Sequence, residues 1–343
     1  MRVDVLDNDL TLVYVAARIG LEHGWTHIYS LSLQHDGFAH LRPGAAFTDG
    51  ERFISPPLLA WVLVPLTIIG AQAAVYVWLV VSMLALAAAW WIAAPGRGPA
   101  RTLWLLGALA WYPLLYGVGL AQPNLVVLAV VAAGWRLAER RPYFAGLVLG
   151  LSAFKPQLVL LLPLVLLAAG RWRIAASWAV TAGVLAVASV VIIGAQGVSD
   201  YRSLLGEAQH VVNNRYFTLA YVLGAGTLGY LAQAAVGALA MLGGYLNREA
   251  GLARLFALGI VATAFGATYW HLQDFAMLVL AGWLFWRDGP PAWQRWWLLV
   301  VVVGGELAWP LRPLPILVGV AVWFGVLVVP SRTADNLSAP AAA

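Results

Sequence analysis

The chain reads as apolar blocks separated by short polar punctuation. Beyond a polar start, eleven such blocks can be drawn, at about 72–94, 102–118, 123–137, 142–154, 156–170, 174–195, 219–244, 252–269, 272–286, 296–310 and 313–330. Blocks near the ~20 residues that carry a helix across ~30 Å of hydrocarbon predict membrane-crossing helices, because in lipid every backbone amide must find its partner inside its own segment. The predicted fold is therefore all-α, a polytopic transmembrane helical bundle of about eleven spans. Pro56 to Gly70 (PPLLAWVLVPLTIIG) is also apolar, but short and proline-interrupted, and it predicts an interfacial or re-entrant helix. The division expected is an extracytoplasmic loop with that interfacial helix over 1–71, a transmembrane domain over 72–330, and a disordered cytoplasmic tail over 331–343.

Composition strengthens this reading. With 62% hydrophobic and 10% charged residues and a mean hydropathy of +0.82, the chain is too oily for a soluble core. The absence of cysteine excludes disulfides, thiolate metal sites and thiol nucleophiles. A net charge of +5 would suggest nucleic acid in a soluble protein, but here the arginines fall in alternate gaps: Arg97 and Arg101; Arg136, Arg140 and Arg141; Arg171 and Arg173; Arg248 and Arg254; Arg287 and Arg295; Arg332. Those gaps are expected to be cytoplasmic, and no nucleic-acid partner is expected. That side carries twelve basic and four acidic residues, the other eight and eleven, together with all six histidines. The pattern starts on the outer side without an apolar span before it, so a further helix upstream of Met1, making twelve, is expected.

Candidate chemistry gathers on the outer side. Residues 1–53 hold Asp4, Asp7, Asp9, Glu22, four histidines, Asp36, Asp49 and Glu51, and a second outer loop, 196–218, adds Asp200, Arg202, Glu207, His210, Asn213, Asn214 and Arg215. Smaller turns bring Gln122 with Asn124, His271 with Asp274, and Glu306 with Arg312. Lys155, the one lysine, lies between two short apolar blocks, where a cation needs an anion, water or carbonyls; a snorkelling side chain at a helix end is the plainer alternative. Asp7 and Asp9 precede an apolar-periodic run, so either can be a helix cap or a first-turn acid. His271 and Asp274, three apart, can form a polar pair on one helix face. His23 and His27 have metal-ligand spacing but no HExxH frame, so no metal is expected. Gly224-Ala-Gly226-Thr-Leu-Gly229 imitates a dinucleotide fingerprint without a strand before it, and close helix packing is expected there and at Gly146 and Gly150. The 18 tryptophans fit membrane interfaces.

Asp9-Leu-Thr-Leu-Val-Tyr14, Gly24 to Tyr29, Ser55-Pro56-Pro57-Leu58, Ala121-Gln122-Pro123-Asn124, Gly146 to Lys155-Pro156 and Arg171-Trp-Arg173 follow one another in an order that resembles the polyprenyl-phosphate-mannose-dependent mannosyltransferases of glycosyltransferase family 87. The resemblance covers most of the chain. It departs from the family pattern in lacking the first helix, in Ser-Pro-Pro for Tyr-Pro-Pro, in Ala121 for the usual glycine, and in Thr268 to Asp274 without the Ser-Pro before its histidine.

The resemblance implies a cofactor-free glycosyltransferase of the C-type membrane superfamily. Its partners would be the lipid bilayer, a polyprenyl-phosphate sugar donor and a glycolipid or glycan acceptor, with the site facing outward from a bacterial plasma membrane. It implies Asp9 as the base of an inverting transfer of a hexose such as mannose, with His271 beside it. Lys155 and Arg215 would neutralise the donor phosphate, and Asp7, Tyr14, Gln122, Asn124 and Asp274 would position substrate. A carrier or flippase of lipid-linked sugars, and a non-catalytic membrane relative, are the competing classes; a carrier predicts ionisable groups near mid-membrane in paired repeats.

Overall fold

The computed structural model describes residues 4–48 and 50–330; Asp49, Arg332 and the tail beyond 330 lie outside them. It is helical, with no strand among the described residues. The helices in chain order are α1 (Asp9–Glu22), α2 (Leu31–Leu41), α3 (Pro57–Leu63), α4 (Ala71–Ala93), α5 (Pro99–Ala110), α6 (Tyr112–Gly119), α7 (Asn124–Ala138) and α8 (Pro142–Gly150). There follow α9 (Leu162–Ala168), α10 (Trp172–His210), α11 (Leu219–Leu223), α12 (Thr227–Leu246), α13 (Leu252–Gly266), α14 (Met277–Arg287), α15 (Ala292–Leu307) and α16 (Leu314–Val328).

The apolar blocks become helices almost where the pattern places them, yet their lengths correct the count. Among the described residues, three helices are long and apolar enough to cross a membrane: α4, α10 and α12. The pair α5 and α6 would make a fourth if its 63° bend is one broken span. Pro57–Ile69, Asn124–Ala138, Pro142–Phe154, Leu252–Gly266 and Leu314–Val328 are apolar but shorter. Helix length therefore does not support eleven full spans. The reason is local in the clearest case. Lys155 precedes a proline, which disfavours helical backbone at Lys155 itself; its φ of −142° and ψ of 68° end the helical path, and two 3-10 turns, Leu151–Phe154 and Pro156–Leu158, flank it. Residues 142–168 thus fold as short helices interrupted at the lysine rather than as one span.

A second correction concerns 196–218. The segment 196–210 is helical and continues α10, which breaks at Gly194, where φ is +64° and ψ −174°. Beyond the break Leu204 is buried and Val198 and Tyr201 pack on the core, so the arm shows an apolar face at helical spacing. Tyr201 stacks on Tyr29 with ring centroids 4.6 Å apart, and Tyr29 on Phe53 at 5.7 Å, tying the amino-terminal segment to the arm. Arg52 pairs with Glu207 across the same junction.

Close approach of helices explains Gly146, whereas the 224–229 pattern is a turn, with nothing within 4 Å of a Cβ added at Gly224 or Gly226. A Cβ on Gly146 would overlap Ser177 Oγ and the Ile174 carbonyl, so α8 can lie against α10 only without one. Gly224, at φ +87°, forms the turn between α11 and α12, where a Cβ on Gly229 would overlap the Gly224 carbonyl.

Two clusters of buried polar side chains form among the gaps. One is centred on Arg254, which is fully buried. Its Nε donates to Asn247 Oδ1 at 2.8 Å, Nη1 to Gln294 Oε1 at 3.3 Å, and Nη2 to the carbonyls of Val326 and Val329 at 3.2 and 2.7 Å. Asp288 stands 3.7 Å from its Nη1. This cluster draws on the arginine-rich gaps at 247–254 and 287–295 and on the end of α16. The other cluster draws on the opposite gaps and forms the site.

Candidate active site

A cavity of about 1480 Å³ opens among residues from every gap assigned to the outer side: 9–13, 48, 50–59, 120–123, 155–157, 201–211, 214–217, 268–273 and 308–312. That volume exceeds the ~300–1,000 Å³ of an ordinary small-ligand pocket, so it can take two substrates together. Asp9, Gln122, Lys155, Arg215 and His271 line it.

Asp9 is the first residue of α1, and the cap is neither aspartate: Asn8 Oδ1 accepts the Thr11 backbone N–H at 3.3 Å. Asp9 is therefore the first-turn acid. Its own N–H donates to the Leu120 carbonyl at 3.2 Å, binding α1 to the turn that carries Gln122. In that turn Ala121 has φ +51°, in the left-handed region that favours glycine, and it is buried. The strained turn aims Gln122 at two partners: Nε2 donates to Asp9 Oδ2, and Oε1 accepts from Lys155 Nζ at 2.6 Å.

Lys155 is 6% exposed, which does not fit a snorkelling side chain. Its ammonium gives all three protons to protein: to Gln122, to Asn124 Oδ1 at 2.6 Å and to Asp274 Oδ1 at 2.8 Å. A direct bond from Lys155 to a donor phosphate would require breaking one of these. Asp274, fully buried, also accepts from Asn124 Nδ2 at 3.2 Å and from the His271 N–H at 3.1 Å. Asn124 and Asp274 thus lie behind the cavity wall and hold Lys155, which holds Gln122, which holds Asp9.

His271 also lines the cavity and is tied to the same Asp274 through its backbone N–H. Its Nε2 lies 3.2 Å from Asn214 Oδ1, and Asn214 Nδ2 donates to the Ala208 carbonyl at 2.9 Å. That leaves Asn214 Oδ1 as an acceptor, so the imidazole proton is assigned to Nε2. Asp274 Oδ2 is 4.0 Å from Nδ1, beyond a hydrogen bond. Burial keeps the imidazole below its ordinary pKa, against the pull of Asp274, and so neutral. Burial also pushes the Asp9 carboxyl above the usual carboxylate range, opposed by the Gln122 hydrogen bond and the Lys155 charge.

Two expected positioning residues lie elsewhere. Asp7 is exposed and pairs with Arg42 Nη2 at 3.0 Å, and Tyr14 is buried with its hydroxyl donating to the Thr67 carbonyl at 3.2 Å. Neither lines the cavity. His23 caps the end of α1 whereas His27 closes a separate 3-10 turn, so their spacing is not that of one helix face. Among the described residues no cluster of three or more His, Asp or Glu is arranged to hold a metal. Sequence reasoning missed Asn214 as the partner that orients His271. It also missed Tyr116 and Trp309, whose rings stand 6.0 Å apart on the cavity wall.

The family model of glycosyltransferase family 87 matches residues 53–340. The match covers Gln122, Lys155, Arg215, His271 and Asp274 and begins beyond Asp9, whose place in the site comes from the geometry alone. No curated protein and no solved structure matches this chain.

Proposed function

The chain belongs to glycosyltransferase family 87, and on that premise we propose that it moves a hexose, mannose in our reading, from a polyprenyl-phosphate donor to a hydroxyl of a glycolipid or glycan acceptor. In this reading the cavity faces outward from a bacterial plasma membrane, and the donor enters with its chain in lipid. The observation that carries the proposal is the side chain of Asp9 at the wall of the large cavity, held by Gln122, with His271 lining the same cavity.

The acceptor oxygen attacks the anomeric carbon from the face opposite the phosphate, giving inversion. Asp9 accepts the hydroxyl proton as the new C–O bond forms; the old C–O bond breaks and its electron pair leaves on the phosphate oxygen. Phosphate departs without a strong general acid, so one carboxylate suffices. Arg215, on the cavity wall, offsets the charge that appears on the leaving group. Lys155, Asn124 and Asp274 act through Gln122, by holding the base in place. His271 positions a substrate hydroxyl.

In proteoliposomes supplied with polyprenyl-phosphate mannose, Asp9→Asn should lower turnover by roughly 10²–10⁴-fold with little change in donor binding. Because burial raises the Asp9 pKa and the base must be ionised, the wild-type kcat/KM should fall on the acid side at a pH above that of an ordinary aspartate. Full activity in Asp9→Asn would remove Asp9 from the mechanism.

A further inference from the structure

The cavity holds four basic side chains of arginine or lysine: Arg52, Lys155, Arg215 and Arg312. Arg52 pairs with Glu207 and Lys155 with Asp274. Arg215 and Arg312 have no carboxylate partner among the described residues. An incoming phosphate therefore meets two guanidinium groups whose charge is not already offset.

Arg312 is also held at a cost. It has φ +65°, one of two non-glycine residues with positive φ among those described. A non-glycine residue there gives up roughly 1–2 kcal/mol that glycine would not. The other, Ala121, is the residue that aims Gln122 at Asp9. Arg312 ends the turn between α15 and α16, three residues after Trp309. Trp309 faces Tyr116 across 6.0 Å, and the Tyr116 hydroxyl lies within electrostatic reach of Asp9. Tyr216, next in sequence to Arg215, lines the same cavity as Arg312. Asp9, the Tyr116–Trp309 pair, Arg215 and Arg312 thus all line the one cavity.

We propose that Arg312, together with Arg215, is the subsite for the phosphate of the lipid carrier, placing the donor sugar against the Tyr116–Trp309 face between the cations and Asp9. The inference rests on the glycosyl-transfer reading above. A guanidinium suits this task because its planar fork matches two phosphate oxygens and never deprotonates. Its contribution grows as the anomeric C–O bond breaks, when the phosphodiester monoanion becomes a monoester with a second charge.

The test is binding to the purified full-length chain in detergent, comparing farnesyl phosphate, farnesol and inorganic phosphate. The wild type should prefer farnesyl phosphate to farnesol by about tenfold or more, the worth of one charge-assisted hydrogen bond. It should bind inorganic phosphate far more weakly. Arg312→Gly should bring the ratio of the two lipids towards one while leaving the melting temperature equal or higher, because glycine takes the same backbone without strain; Arg215→Gln should reduce the ratio too. An unchanged ratio in Arg312→Gly, or no wild-type preference for the phosphate, overturns the subsite. Inorganic phosphate binding as tightly as farnesyl phosphate would assign the site to free phosphate and overturn the carrier assignment. A wild type that shows the predicted binding but transfers no sugar would instead sink the transferase reading, so the two failures are distinguishable.

Discussion

Lys155 and Asp274 meet with side chains 8% and 1% exposed, and every proton of the ammonium has a named acceptor. Such a pair gives little net stability against an apolar replacement, but removing one member leaves the other charge buried and alone. Lys155→Met should therefore cost about 3–5 kcal/mol, read as a large fall in melting temperature in detergent. The double variant Lys155→Met/Asp274→Leu should regain much of that loss while staying catalytically poor, since Gln122 is no longer held against Asp9. If the double variant were no more stable than Lys155→Met, the buried pair would not be the source of the cost. From the sequence, Lys155 is legible as exceptional because it is the lone lysine in oil. Its role is not, because its partners lie 31, 33 and 119 positions away and no periodicity links them. The same holds for Ala121: the departure from glycine is visible, whereas its left-handed backbone emerges only when the turn is seen to carry Gln122.

The interfaces between helices divide into those written in small residues and those that are not. Gly146 is readable as a packing glycine, and it is one because α10 crosses its bare backbone. Gly107, in α5, would have nothing within 4 Å of an added methyl and lies mid-helix, so it packs against nothing that a side chain would disturb. The pair makes a controlled comparison. Gly107→Ala should hold or raise stability by up to about 0.5–1 kcal/mol through helix propensity. Gly146→Ala should lower it by about 1–3 kcal/mol despite the same propensity gain, because Ser177 and the backbone at Ile174 must move apart. Equal melting temperatures for the two variants would mean that α8 does not depend on close contact with α10. The α10 arm escapes the sequence pattern for a physical reason. Its polar residues suggest a loop, but they occupy the exposed face of a helix whose buried side, Val198, Tyr201 and Leu204, is spaced at three residues. Gly194 conceals the continuity by turning the chain within the element.

Across the molecule, the alternation of gaps anticipates more than the count of spans. The outer gaps converge on one cavity and two of the arginine-rich gaps, 247–254 and 287–295, on Arg254, although several helices between them are too short to cross ~30 Å of hydrocarbon at 1.5 Å per residue. The short helices Asn124–Ala138 and Pro142–Phe154 end beside Gln122 and Lys155, at the cavity. We read this as a vestibule sunk into the membrane, reached by helices that stop at its floor. The absence of cysteine makes this directly testable, since any introduced thiol is the only one in the chain. Asp36 and Glu249 have side chains 75% and 91% exposed and belong to opposite clusters of gaps. In intact right-side-out vesicles, an impermeant maleimide should label Asp36→Cys and spare Glu249→Cys, and the pattern should invert in inside-out vesicles. Labelling of both from one surface would place the anionic start of the chain and the arginine-rich gaps in one compartment. The phosphate of an externally delivered lipid donor would then have no exclusive access to Asp9, and the outward orientation would fall even if sugar transfer itself stood.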